Sequence, residues 1–131
     1  MIFVDTSFWV ALTARGDAHH REAVELIESN DELLLTSNHV RGETWTFLNR
    51  RYGHRAAVAF LDRTEQSEQL EIEFVPSSVE DDALAWLRGR DEREYSFVDA
   101  TSFALMRSMR IEETLAFDGD FAAAGFVELR A

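Results

Sequence analysis

The sequence contains no cysteine and no lysine, and it has a single proline. Without cysteine there can be no disulfide, zinc knuckle, iron-sulfur cluster or thiol nucleophile, and the cytoplasm is the expected compartment. Without lysine, all thirteen basic residues are arginine, which removes Walker-type phosphate loops, Schiff-base chemistry and any catalytic lysine. Long apolar runs are also missing. None approaches the roughly 20 residues that cross a bilayer, so no membrane association is expected. The opening Met1-Ile2-Phe3-Val4-Asp5 has no basic region and reaches an acid at once, unlike a secretory signal.

What is present fits one domain spanning residues 1–131. The length is that of a common domain, and 46% hydrophobic composition can fill a core without staples. The formal net charge of −12 lacks the basic footprint of most nucleic-acid binders. That average does not exclude a nuclease working through metal, which needs carboxylates concentrated in its cleft.

Short apolar runs alternate with helical periodicity. Ile2 to Asp5 reads as a strand that turns at Asp5-Thr6-Ser7 into a helix over Phe8 to Leu12. Asp17 is the expected cap of a helix carrying His20, Ala23, Val24 and Ile27 on one face. Leu33 to Thr36 is a strand, and Ser37 caps a helix whose stripe is Val40, Thr44, Phe47 and Leu48, ended by Gly53. A helix over His54 to Thr64 follows. Ile72 to Val75 is a strand closed by Pro76, and Val79, Ala83, Leu84 and Leu87 mark the next helix. Ser96 caps a helix from Phe97 to Met109. Thr114 to Phe117 is a strand ending at Asp118-Gly119-Asp120, with a helical turn and a last strand, Phe126 to Leu129. No repeat, low-complexity segment or linker interrupts the pattern. Strands alternating with helices predict an α/β domain, a mostly parallel sheet covered on both faces, whose ligands bind beyond the carboxyl ends of the strands. Asp5 and Asp118 both fall at that end.

Most of the 25 acids are expected to be solvated surface charges. Four positions depart from that expectation. Asp5 lies between two core segments, although a helix N-cap would explain it too. Glu43, three residues after Val40 and four before Phe47, sits beside an apolar stripe, where a carboxylate is costly unless it snorkels, pairs with Arg41 or Arg50, or meets a metal. Asp99 follows Ser96 at capping-box spacing. Asp118 begins a turn sequence at a strand end. Together they would repel one another unless cations lie among them, since two carboxylates about 4 Å apart repel by roughly 4 kcal/mol at an effective dielectric near 20. All-oxygen ligands suit Mg²⁺ or Mn²⁺, and such ions promote in-line phosphodiester hydrolysis without a nucleophilic side chain.

The blocks Ile2-Phe3-Val4-Asp5-Thr6-Ser7, Glu43 in the helix after Thr36-Ser37-Asn38, Ser96-Phe97-Val98-Asp99-Ala100, and Leu115-Ala116-Phe117-Asp118-Gly119-Asp120-Phe121, in this order, resemble a PIN-domain ribonuclease. The likeness runs over essentially the whole chain and is nearest to VapC-type toxins of toxin-antitoxin pairs. The resemblance implies a three-layer α/β/α sandwich and endonucleolytic cleavage of RNA, with Asp5, Glu43, Asp99 and Asp118 as an acidic quartet around Mg²⁺ or Mn²⁺. It places the Thr6 hydroxyl at the site and leaves Asp120 able to assist or replace Asp118. It further implies a homodimer and a cognate antitoxin that inserts a segment into the acidic cleft. A catalytically weak PIN-like RNA-binding module and a DNA-directed nuclease remain as alternatives. A phosphoacceptor receiver domain also gathers acids at a sheet edge, but it uses a lysine that this chain lacks.

Adjacent His19 and His20 point about 100° apart on a helix, so packing and hydrogen bonding are the expected roles rather than metal ligation. His39 and His54 have no partner at ligand spacing. Trp9, Trp45 and Trp86 fall in apolar segments and are expected in a core or a dimer contact. Arg15, Arg41, Arg50 and Arg51 are candidates for phosphate contacts.

Overall fold

The computed structural model describes residues 1–131. In chain order the elements are β1 (Ile2–Val4), α1 (Thr6–Thr13), α2 (His20–Ser29), β2 (Leu34–Ser37), α3 (Asn38–Arg51), α4 (His54–Gln66), β3 (Leu70–Glu73), α5 (Ser77–Arg88), α6 (Phe97–Met109), β4 (Glu113–Leu115), α7 (Asp120–Ala123) and β5 (Val127–Glu128). The five strands form one sheet in the order β3-β2-β1-β4-β5, and every pairing is parallel. The expected sheet is therefore present, and parallel throughout.

Helices cover both faces. One group is α1, packed on α2, α3 and α4, and the other is the α5 and α6 pair. Right-handed crossovers account for this division. The chain steps from β1 outward to β2 and β3, then returns past β1 to β4, so α5 and α6 must cross the opposite face. The reversal of direction opens a crevice between the carboxyl ends of β1 and β4, the place where such sheets bind ligands. Packing of α3 against α6 brings the two helix groups together there.

The core is aromatic-rich. Phe3, Phe8, Phe60, Phe103 and Phe121 are fully buried, and Phe103 meets Phe121 edge-on at 4.9 Å between centroids, the orientation ring quadrupoles favour. Threonine hydroxyls tie the central strands from the side, Thr36 donating to the Val4 carbonyl at 2.8 Å and Thr114 to the Phe3 carbonyl at 2.9 Å. Buried polar groups so paired cost little and fix register.

Several expectations need correction. Asp17 is not the cap of α2. His19 takes that position, while the Asp17 carboxylate accepts the His19 N–H at 2.8 Å in a local turn. The third strand lies at Leu70–Glu73 rather than at Ile72 to Val75, because its register is set by β2, with Leu34 opposite Leu70. Phe74 is left 64% exposed, with the Arg41 guanidinium 5.5 Å from its ring centroid. The fourth strand ends at Leu115, two residues before Phe117. In α3 the buried stripe is Val40, Thr44 and Leu48, whereas Phe47 is exposed. Leu84 is exposed as well.

Candidate functional site

Asp5 is held from every side. Its backbone N–H donates to the Leu115 carbonyl at 3.0 Å, extending the β1 and β4 ladder by one residue. Its carboxylate caps α1 by accepting the Ser7 N–H at 3.1 Å and the Ser7 hydroxyl at 2.8 Å. The residue is only 2% exposed. Burial pushes its carboxyl well above the usual carboxylate range, and the neighbouring charge of Asp118 pushes the same way, against the hydrogen bonds from Ser7. Capping and cleft lining thus coexist at one residue.

Asp99 enters from the opposite face, on the first turn of α6. The capping box expected from the sequence is complete, with the Asp99 N–H donating to the Ser96 hydroxyl at 2.9 Å and the Ser96 N–H donating to the Asp99 carboxylate at 3.0 Å. Burial raises the Asp99 carboxyl to about 7 despite these bonds, with Asp120 and Asp118 adding repulsion. Asp118 follows β4. Its place in a concave cleft thins the surrounding water, and this desolvation, together with the charges of Asp120 and Glu128, raises its carboxyl too.

One carboxylate oxygen from each of Asp99, Asp118 and Asp120 lies within 4.8 Å of the others. Asp5 acts electrostatically on this group through both Asp118 and Asp99. A guanidinium already touches it. Arg93, in the loop between α5 and α6, donates from Nε to Asp120 at 2.6 Å and from Nη2 to the Asp118 carbonyl at 3.3 Å. Arg93 is not among the candidates the sequence offers, because one of three arginines in the charged stretch Arg88 to Glu94 has no periodicity to mark it.

A cleft of about 450 Å³ contains Asp5, Thr6, Glu43, Asp99, Asp118 and Asp120 among its lining residues. Every acid named from the sequence therefore borders one cavity. Glu43 is half-buried and stands on the α3 wall, outside the tight trio. It forms no ion pair with Arg41 or Arg50. The Thr44 hydroxyl donates to the Val40 carbonyl at 2.7 Å, and Thr6 is tied in place by its hydroxyl contact with Thr44 at 3.3 Å. The cleft adjoins a larger groove of about 930 Å³, which shares Glu43 and Phe47 and adds Arg50, Arg51 and Phe97. Arg15 lies away from it, in a groove with residues of α1, α2 and α4.

The remaining candidates behave as expected of packing groups. His20 hydrogen-bonds through Nδ1 with the Ala11 carbonyl at 2.8 Å. Trp9 is buried beside Phe60. Trp45 and Trp86 pack partly buried against the core.

Ser7, in sequence only part of a polar turn, bridges the cleft. Its hydroxyl donates to Asp5 and accepts the Phe117 N–H at 2.9 Å, bridging residues 110 positions apart. It locks the two acid-bearing strand ends together. Ser7→Ala leaves the part-buried Phe117 N–H without its partner, a loss of about 1 kcal/mol. Thermal denaturation should read this as a lower Tm, and cleavage should fall with it. An unchanged Tm with unchanged activity would show the bridge to be idle.

The donor set suits a divalent cation. All ligand atoms are carboxylate oxygens, as hard cations require. Burial and mutual repulsion make three of the carboxyls hold protons more tightly than usual, so a cation among them would offset the cost of their ionisation. The residues fit an ion such as Mg²⁺ or Mn²⁺.

Comparison with known proteins agrees with this geometry. The chain matches the PIN domain over residues 2–127. The 23S rRNA-specific endonuclease VapC20 of Mycobacterium tuberculosis, from strains CDC 1551 / Oshkosh and ATCC 25618 / H37Rv alike, is 58% identical over 130 residues, covering 99% of this chain and 98% of that protein. The crystal structure of Mycobacterium tuberculosis VapC20, described as a Sarcin-Ricin loop cleaving toxin, aligns with a TM-score of 0.95 at 57% identity, covering 100% of both chains. A toxin-antitoxin complex from Klebsiella pneumoniae shares the fold at a TM-score of 0.69 and 18% identity, over 98% of this chain and 97% of that one. A match that spans the sheet and every acid-bearing segment, with a close relative along the full length, means that the chain belongs to the PIN domain family, among its VapC toxins.

Proposed function

We propose that this chain is an endoribonuclease that hydrolyses an RNA phosphodiester with the help of Mg²⁺ or Mn²⁺ held by its acidic cleft. The observation that carries the reading is the gathering of Asp99, Asp118 and Asp120 within ligand distance of one another beside the buried Asp5. Such charge density is costly when ionised unless a cation offsets it. Asp5, Asp99 and Asp118 are the proposed ligands, with Glu43 on the facing wall orienting water or a further ion. When bound, the cation supplies the Lewis acidity that activates a water and offsets the charge developing on the phosphate.

The protein contributes positioning. Ser7 and Ser96 hold the Asp5 and Asp99 carboxylates in fixed orientations. The Thr6 hydroxyl, held by Thr44, presents its oxygen at the cleft wall. Helices α1 and α6 both begin at the cleft, so their amino-terminal ends partly offset the carboxylate charge. We assign the fourth acid to Asp118 rather than Asp120, because Arg93 already neutralises Asp120. Asp118→Asn should then reduce cleavage far more than Asp120→Asn.

The 58% identity to a 23S rRNA-specific endonuclease makes ribosomal RNA of the sarcin-ricin type the proposed substrate class. The same likeness supports a toxin acting in the cytoplasm, neutralised by an antitoxin whose basic segment enters the cleft. A homodimer is proposed in addition. Exposed Phe47 and Phe97 beside the cleft are apolar surface of the kind a second copy covers, and light scattering would read its mass. None of the helices is long and apolar enough to cross a membrane. The purified chain with Mg²⁺ or Mn²⁺ should cut a sarcin-ricin stem-loop RNA, leave DNA of the same sequence largely intact, and stop on chelation. Equal cutting of the DNA, or cutting that survives EDTA, would overturn the reading.

A further inference from the structure

The loop from Ala14 to His19 carries a feature the acid chemistry does not use. The imidazole of His19 lies flat on the Phe117 ring, with centroids 4.5 Å apart and the planes only 4° from parallel. The residue is exposed and lines the acidic cleft. Phe117 immediately precedes Asp118, and its N–H is held by the same Ser7 hydroxyl that holds Asp5. The stacked pair is therefore fixed relative to the proposed ligands by one covalent link and one hydrogen-bond chain.

The loop is also held firmly. The Asp17 carboxylate takes the His19 N–H at 2.8 Å, and the next residue, His20, anchors to the Ala11 carbonyl. His19 forms no ion pair, and Phe117 is the one ring it stacks on. A ring with one face on a phenyl group, the residue exposed and its orientation preset loses little entropy on accepting a second planar group. Nucleobases are that group, since single-stranded RNA is recognised largely by stacking unpaired bases on aromatic or histidine rings.

Building on the ribonuclease reading, we propose that His19 is the stacking platform for one unpaired nucleobase beside the scissile phosphate, with Phe117 as its backing. The contact positions substrate and plays no part in bond breaking. A plain surface histidine would tolerate alanine, and a cationic phosphate contact would be restored by arginine. A stacking platform is restored only by another flat ring.

The test uses the sarcin-ricin stem-loop RNA with 2-aminopurine replacing each loop purine in turn. Wild type in EDTA should quench the fluorescence at one position. His19→Ala should lose that quenching and raise KM about tenfold, the scale of one base stacked on a side chain, with kcat and Mn²⁺ affinity by calorimetry close to wild type. His19→Phe or His19→Trp should restore both readouts, and His19→Arg should not. Rescue by arginine alone, or a KM unchanged in His19→Ala while wild type cuts, overturns the stacking assignment and leaves the ribonuclease reading intact. A wild-type chain that neither binds nor cuts the RNA overturns both.

Discussion

Replacing Asp5 or Asp99 with asparagine should reduce RNA cleavage by on the order of 10³-fold while leaving the metal-free protein as stable as wild type or more so. The two halves of this result come from one cause. In each residue the carboxylate accepts local hydrogen bonds, from Ser7 in one case and Ser96 in the other. The amide oxygen of asparagine can accept the same bonds, so the caps of α1 and α6 survive. What is lost is a negative charge, and in the metal-free protein that charge is a liability. Burial and neighbouring acids raise both carboxyls above their ordinary range, so the fold works against their ionisation. A substitution that removes the charge relieves that opposition and also removes a ligand. Single-turnover cleavage of the stem-loop RNA, paired with denaturation in chelator, checks both halves. Loss of activity together with a fall of several degrees in Tm would mean that the acids are structural. Cleavage within a few-fold of wild type would remove them from the chemistry.

The contrast between capping and catalysis also marks how far the sequence could be read. Local signals served well apart from Asp17, which closes a turn one step ahead of the cap of α2. The Ser96 capping box placed the start of α6 at Phe97, and Ser37 capped α3 as expected, accepting the Val40 N–H. Acids directly after short apolar runs pointed to one sheet edge, and the parallel order of β1 and β4 puts them there. Errors arose where partners far apart in the chain decide the outcome. The register of β3 depends on β2 across the sheet, so the apolar run ending at Pro76 was misleading, and Phe74 faces solvent. Ser7 matters through Phe117, a contact spanning 110 positions. Arg93 matters through Asp120, 27 positions away. Neither has a local pattern that would single it out. Glu43 shows the same limit from the other side. Helical spacing set it beside the apolar stripe, but only the packing of α3 against α6 makes that side a wall of the cleft.

Metal and pH should act on stability with opposite signs, and this is the second large effect. Asp99 is raised from the ordinary 3.8 to about 7 in the folded chain. Between those values the native state holds a proton that the unfolded state has released. Folding stability therefore falls as pH rises through that interval, because the unfolded state binds fewer protons. Asp5 and Asp118, raised for the same reasons, add to the slope in the same direction. Metal-free wild type should accordingly lose Tm from pH 4 towards pH 7 relative to Asp99→Asn, in which one of these contributors is gone. Mn²⁺ reverses the trend, since the ligands must be ionised to bind it. The stabilisation should be small near pH 5 and grow towards pH 8. At a free concentration one hundred times its dissociation constant, Mn²⁺ adds about 2.7 kcal/mol, or roughly 10 °C for a domain of this size. Calorimetric scans of both proteins in chelator and in Mn²⁺, at unit steps of pH, read all four curves. A metal-induced shift that stays constant across pH would show that no proton leaves when the cation enters. The raised carboxyls would then belong to some other part of the molecule's chemistry, and the cluster could not be the site where the cation and the phosphate meet.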